Sequence, residues 1–295
     1  MLINKDNLVA IFAAFNVLFQ TAFAAYVPTY KQVAMEVDST TEEENYAWLG
    51  AWPEMREWIG ERQFKNLKNC KFSIVNKDWE STVEIPRNNI LDDKIGIFKP
   101  MFQEQGRSVA AHPDKLVYGL LAAGFVEKCY DGVAFFSDAH KVGKGTVSNM
   151  DVPNSNPQSA WFLLDTSRGI KPLVYQNRQK PEFASLTNPE SEHVFKTKKF
   201  LFGVDSRDNV GYGLWQMAFG SKKALDITNY GVARAAIGGF KNDEGTPLGL
   251  KGNLLVVGPS NEAAARKICY SDQMAGGESN PWKGSAEVMV CPWLV

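Results

Sequence analysis

KFSIVNKDWESTVEI, residues 71–85, alternates apolar and polar side chains on both sides of Asn76-Lys77-Asp78. Phe72 and Ile74 alternate with Lys71 and Ser73, while Trp79, Ser81, Val83 and Ile85 alternate with Glu80, Thr82 and Glu84. Period-two alternation marks a strand with one buried face, and two such strands about a short turn read as a β-hairpin. A lone two-stranded ribbon is marginal in water and carries unpaired edges, so it needs a surface to lie on. That surface is either the protein's own core or a neighbouring subunit. The ribbon belongs to a longer stretch, Asn45–Phe125, which opens with NYAWLGAWPEMREWIGERQF and closes on a helical pattern ending in LLAAGF. From Asp93 to Phe125, Ile97, Met101, Val109, Leu116 and Leu120 fall at or near multiples of a helical turn. Pro113 is expected to kink or restart that helix, with Asp114 favourable in the first turn of the second piece. Asp92-Asp93 read as N-terminal caps.

Upstream, MLINKDNLVAIFAAFNVLFQTAFAAY carries Leu8, Phe12, Phe15, Phe19 and Phe23 at helical spacing, one continuous apolar stripe. Lys5, the apolar run and the small residues Ala22, Ala24 and Ala25 also imitate a secretory signal. Asp6 cancels Lys5, however, and Asn16 and Gln20 interrupt the run. The preferred reading is an amphipathic arm packing on a partner, too short and polar-broken to span a membrane. Downstream, KVGKGTVSNMDVPNSNPQS (141–159) is a long loop. Strands follow at 160–165, 172–176, 200–204 and 211–219, then a helix over 229–240, a buried strand at 253–258, a helix over 262–268 and a last strand at 286–294. Strands and helices are grouped rather than strictly alternating, so the class is α+β.

The chain has 295 residues, 44% hydrophobic and 22% charged, enough to bury a substantial core. A net charge of −1 argues against a general nucleic-acid binder. Cys70, Cys129, Cys269 and Cys291 form no CxxC pair and no Cys/His cluster at zinc spacing, and read as unpaired thiols of a reducing compartment. His112, His140 and His193 are too dispersed for a histidine-based metal site. NLLVVGPSNEAAARK (253–267) places a small loop before a helix, a possible phosphate cradle, but lacks GxGxxG and GxxxxGK[ST]. Asp138 near His140 suits a metal or a general base, yet no third partner can be named, and a loop aspartate bonding locally is the plainer reading. Glu42, Glu43 and Glu44 read as a solvated face. No nucleophile motif appears, so neither an enzyme nor a cofactor is expected.

An ordered set of long, Trp-marked motifs then resembles the major head subunit (T protein) family of Mu-like phages and prophages. These are YAWLGAWPEMREWIGER (46–62), NKDWESTVEIPRNNILDD (76–93), IFKPMFQEQGRSVAAHPDKLVYGLLAAGF (97–125), CYDGVAFFSDAH (129–140), WFLLDTSRGIKPLVYQNRQKPEF (161–183), FLFGVDSRDNVGYGLWQMAFG (200–220) and NPWKGSAEVMVCPWL (280–294). The resemblance implies a Hong Kong 97-type capsid fold: an N-terminal arm (1–45), an extended β-hairpin loop (46–92), a spine helix (93–127), a loop and peripheral-domain sheet (128–220) and an axial domain (221–295). It implies a structural protein that self-assembles into the hexamers and pentamers of an icosahedral shell around double-stranded DNA, without sequence-specific binding. Scaffold or protease, portal and decoration proteins would be its partners, with assembly in the bacterial host cytoplasm and no membrane. An encapsulin-like compartment of the same fold is the near alternative, and a secreted enzyme or binding protein with a cleaved signal the distant one. Ring-closing heterologous contacts need anchors, and the candidates are Phe12, Phe15, Phe19, Trp52, Trp58, Arg62, Phe72, Ile74, Trp79 and Val83.

Overall fold

The structure, a computed structural model, describes residues 2–50, 72–274 and 276–294. Asn4 opens helix α1 (Lys5–Ala25), its Oδ1 accepting the Asn7 amide at 2.8 Å. Strands β1 (Ala34–Asp38) and β2 (Glu43–Asn45) follow, then β3 (Ser73–Val75), β4 (Lys77–Pro86), a short helix α2 (Arg87–Leu91) and the long helix α3 (Lys99–Ala123). β2 pairs with β3, and β4 pairs with a distant strand, so the expected hairpin across residues 71–85 does not form. Alternation says which face of a strand is buried, not which strand it joins. The chain instead swivels at Asn76, a buried corner. Its Nδ2 donates to Ser39 Oγ and Thr41 O, both at 2.9 Å, and its Oδ1 accepts from Gln176 Nε2 at 2.7 Å.

The segment 140–151 holds three short strands, β5 (His140–Val142), β6 (Gly145–Val147) and β7 (Met150–Asp151). After β8 (Trp161–Leu164) come two strands of 14 residues, β9 (Leu173–Leu186) and β10 (Lys199–Tyr212), joined through α4 (Glu192–Thr197). The remainder is β11 (Ala218–Ser221), α5 (Ile227–Gly239), β12 (Leu254–Val257), α6 (Glu262–Tyr270) and β13 (Glu287–Val290). One four-stranded sheet runs β1-β9-β10-β4 and one five-stranded sheet runs β13-β12-β8-β11-β7. Strands from both sides of residue 220 share the second sheet, because β8 pairs with both β11 and β12. The division expected at 220/221 therefore cuts through a hydrogen-bonded unit.

Two cores result. The larger surrounds the five-stranded sheet, where β8 and β12 are buried along their whole length between layers, as continuous apolar runs require. The smaller gathers Leu8, Ile11 and Phe15 of α1, Phe102 of α3, Ile85, Phe200 and Phe202 of the long sheet, Ile90 and Val194. Phe15 stacks on Phe102 at 4.0 Å and meets Phe202 edge-on at 5.2 Å. Gly106 makes that approach possible, since a Cβ there would sit 2.4 Å from Phe19 O. The amphipathic arm thus packs on its own long helix. By length and composition its 21 residues are also apolar enough to cross a membrane, contrary to the sequence reading, but here the stripe fills a core.

α3 begins at Lys99 rather than Asp93 and runs unbroken through Pro113. Asp92 and Asp93 instead close α2, Asp93 in the left-handed region at φ 57°. Asp114 does not start a second helix. Buried beside Pro113, it accepts the Tyr30 amide (2.6 Å), the Thr29 amide (3.0 Å) and the Tyr26 hydroxyl (2.6 Å). A carboxylate so placed satisfies the orphan donors of the turn that follows α1 and staples that turn to α3. Burial, reinforced by Asp114, pushes the Tyr26 hydroxyl up to about 12.

Candidate assembly surfaces and polar cluster

Three of the ten anchor candidates are spent inside the subunit. Phe15 and Phe19 are buried under α1, and Ile74 is buried against Gly211, so none is free to meet a partner. The helical stripe and the strand alternation did identify a buried face, but its complement lies in the same chain. Phe12 is half-buried, stacked on Phe183 at 5.4 Å. Phe72 and Val83 are half-buried against the larger and smaller core respectively. Trp79 is half-buried as well: its Nε1 donates to Asp208 O at 3.2 Å and its ring packs on His112, with centroids 4.7 Å apart. His112 Nε2 in turn lies 3.3 Å from Oδ1 of the buried Asp208. Trp52, Trp58 and Arg62 lie outside the described residues.

The outward face of α1 presents Val9, Ala10, Ala13, Ala14 and Val17 to solvent. Phe195, which is not among the ten candidates, is also exposed. On α4, Val194 is 2% exposed and Phe195 is 79% exposed, because consecutive helical residues cannot share a face. Ser191 caps that helix and fixes the rotation, its Oγ accepting the Val194 amide. The legible signal was the short capped pattern SEHVF, in which one apolar residue serves the core and the next does not.

Among the described residues, Cys129, Asp131 and His140 between α3 and β5 form a group of potential metal ligands. His140 is fully buried, stacked on Trp215 with centroids 4.0 Å apart and an 8° interplanar angle. Its Nδ1 lies 2.6 Å from Asp131 Oδ2, and its Nε2 lies 3.2 Å from Phe135 O and 3.1 Å from Asn149 Oδ1. Cys129 Sγ donates to Asp131 Oδ1 at 3.1 Å. Burial, then the Asp131 charge, pushes the Cys129 thiol well above its ordinary range. Burial works against the Asp131 carboxylate, but hydrogen bonds from His140 and Cys129 outweigh it and hold the group below its usual value. Asp138, the partner considered from sequence, is exposed; the partner is Asp131. Cys129, Cys269 and Cys291 are free thiols, all buried. The turn after β12 is not a phosphate cradle, since a Cβ on Gly258 would lie 2.1 Å from Leu294 O; the glycine admits the C-terminal chain.

The family described as the Mu-like prophage major head subunit gpT matches residues 8–294. The major capsid protein of Escherichia phage Mu is 37% identical over 305 residues, covering 100% of both chains. The Mu-like prophage FluMu major head subunit of Haemophilus influenzae is 40% identical over 275 residues, covering 90% of this chain and 89% of its own. Among solved structures, the chain from the procapsid of bacteriophage JBD30 matches with a TM-score of 0.87 at 42% identity, covering 99% of this chain and 100% of its own. The JBD30 capsid chain matches at 0.82 with 31% identity, covering 94% of each.

Proposed function

The chain belongs to the Mu-like prophage major head subunit family, and from that premise we propose how its surfaces build a shell. It is a major capsid protein of the Hong Kong 97-type fold, structural rather than catalytic, and a component of the virion capsid. In the proposed arrangement the four-stranded sheet with α1 and α3 forms the peripheral domain, α3 being the spine. The five-stranded sheet with α5 and α6 forms the axial domain around which hexamers and pentamers close. Copies meet through apolar side chains that the fold leaves exposed, Phe195 on α4 and Val9 and Val17 on α1, and through the still accessible parts of the half-buried Phe12, Phe72, Trp79 and Val83. Trp52, Trp58 and Arg62 remain candidate anchors.

Phe195 carries this reading of the contacts. A capped helix that turns one apolar residue inward and an adjacent phenylalanine into solvent has no use for the latter within the subunit. Near-neutral net charge suits a container that encloses double-stranded DNA and must release it. Scaffold or protease, portal and decoration proteins complete the proposed set of partners, with assembly in the host cytoplasm. Electron microscopy of purified wild-type protein and of Phe195→Asp tests the proposal. Wild type is expected to form shells, and the variant to stay unassembled with its stability changed by no more than about 0.5 kcal/mol. A variant that assembles as well as wild type removes Phe195 from the interface. A wild type that never leaves the monomer overturns the shell. Particles without DNA in an infected or induced host point to an encapsulin-like compartment instead.

A further inference from the structure

Cys129, Asp131 and His140 match no zinc spacing in the sequence, yet the fold brings their donor atoms within 4.8 Å of one another. We infer that they form a binding site for a divalent transition ion of the zinc class, held by the Cys129 thiolate, an Asp131 carboxylate oxygen and His140 Nδ1. Thiolate, imidazole and carboxylate are the three ordinary zinc ligands, and sulfur with nitrogen disfavours the hard ions magnesium and calcium.

His140 is held in one orientation by its neighbours. Asn149 Nδ2 donates to Phe135 O at 2.8 Å and its Oδ1 accepts the Ser137 amide at 2.8 Å, which fixes the amide and leaves only acceptors facing His140 Nε2. Nε2 therefore carries a hydrogen, and the Trp215 stack prevents the ring from turning away. An Nε2–H held by a backbone carbonyl and an amide oxygen, with Nδ1 left as the coordinating atom, is how outer-shell partners fix a metal-ligating histidine. In the neutral ring Nδ1 is a lone pair, set 2.6 Å from a second lone-pair atom, Asp131 Oδ2. Some cation has to lie between them.

A proton fills that place in the metal-free protein, and the neighbouring thiol lets a metal replace it. On binding, the zinc ion displaces the proton shared by Nδ1 and Asp131 and the proton on Cys129 Sγ. Both protons pass to water, Zn–N, Zn–O and Zn–S bonds form as aqua ligands leave the hydrated ion, and nothing is oxidised or reduced. Tetrahedral zinc bonds of about 2.0–2.3 Å set ligand atoms roughly 3.3–3.5 Å apart, so the 2.6 Å Nδ1–Oδ2 separation has to widen by roughly 0.7 Å and the 3.1 Å Sγ–Oδ1 separation by less. The Asp131 side chain borders solvent, which supplies a water as fourth ligand. The ion would tie the loop after α3 to the Trp215 region of the larger core. Because two protons leave, affinity rises with pH.

The full-length protein, purified without a metal-chelating resin, is titrated with cobalt(II) and zinc(II). Thiolate-to-cobalt absorption and metal per chain by mass spectrometry are the readouts. Wild type and Cys269→Ser are expected to bind about one ion per chain, and Cys129→Ser and Asp131→Asn to bind about tenfold more weakly or worse. Circular dichroism checks that the variants fold. Should they not, zinc protection of Cys129 against alkylation in the wild type decides. Cobalt uptake without thiolate absorption, undiminished binding by Cys129→Ser, or an alkylation rate indifferent to zinc each overturns the site.

Discussion

The two cores are built on opposite terms. Around the five-stranded sheet, strands such as Trp161–Leu164 and Leu254–Val257 are buried on both faces and locked by neighbours within the same sheet. Around the far halves of β9 and β10 the sheet is covered on one side only, by α1 and α3, and its other face alternates into solvent. The first core is self-contained. The second depends on an N-terminal helix fastened by a stack of phenylalanines, and Val9 and Val17 of that helix and Phe195 of α4 are exposed. In the proposed shell that asymmetry leaves the arm-bound face as the one offered to neighbouring copies.

The largest effect is expected of Phe15→Ala. Removing the ring that bridges Phe102 and Phe202 should destabilise the protein by about 3–5 kcal/mol. Chemical denaturation with a near-ultraviolet probe of the tryptophans in the larger core distinguishes two outcomes. Loss of one cooperative transition would mean that the two cores fold together, whereas an early separate transition would mean that the arm region melts alone.

Asp114→Ala comes next, at about 1–3 kcal/mol, because the Thr29 and Tyr30 amides lose their acceptor. Hydrogen exchange at those two amides should accelerate while the amides of β8 and β12 stay protected. Equal loss in both places would erase the distinction between regions.

The smallest effect belongs to Asp165 in the larger core. Burial alone would raise its carboxyl, but Ser167 and the Lys251 amide donate to it, with Arg168 nearby, and hold it below the ordinary 3.8. A depressed folded value stabilises the protein fully above the ordinary carboxylate range, and that contribution disappears as pH falls through the lower folded value. Asp165→Asn should therefore narrow the stability difference from wild type as pH drops below about 4. A difference constant across that range would mean that the carboxylate charge is not what holds Lys251.

Much of this was legible in the residues. Continuous apolar runs named β8 and β12, the 3.6-residue stripe named α1, and the Trp-marked motifs named the family. The same periodicities misled where a partner had to be chosen. Phe15 and Phe19 read as intersubunit anchors because a stripe records the need for cover without saying which chain provides it. Ile74 and Trp79 read as one hairpin because alternation is blind to pairing, and Asn76 turned out to be a corner between two sheets.

The chain alone determined its main helices and buried strands, its α+β class and its membership of a capsid family, because these rest on local periodicity and on motif order; 141–159, which reads as one long loop, holds three short strands instead. Tertiary structure decided what each apolar face covers, that Asp114 serves the backbone of residues 29 and 30, and that Cys129, Asp131 and His140 converge. Those outcomes depend on long-range closure, in which residues distant along the chain compete for one neighbour, and nothing in their spacing records which of them wins.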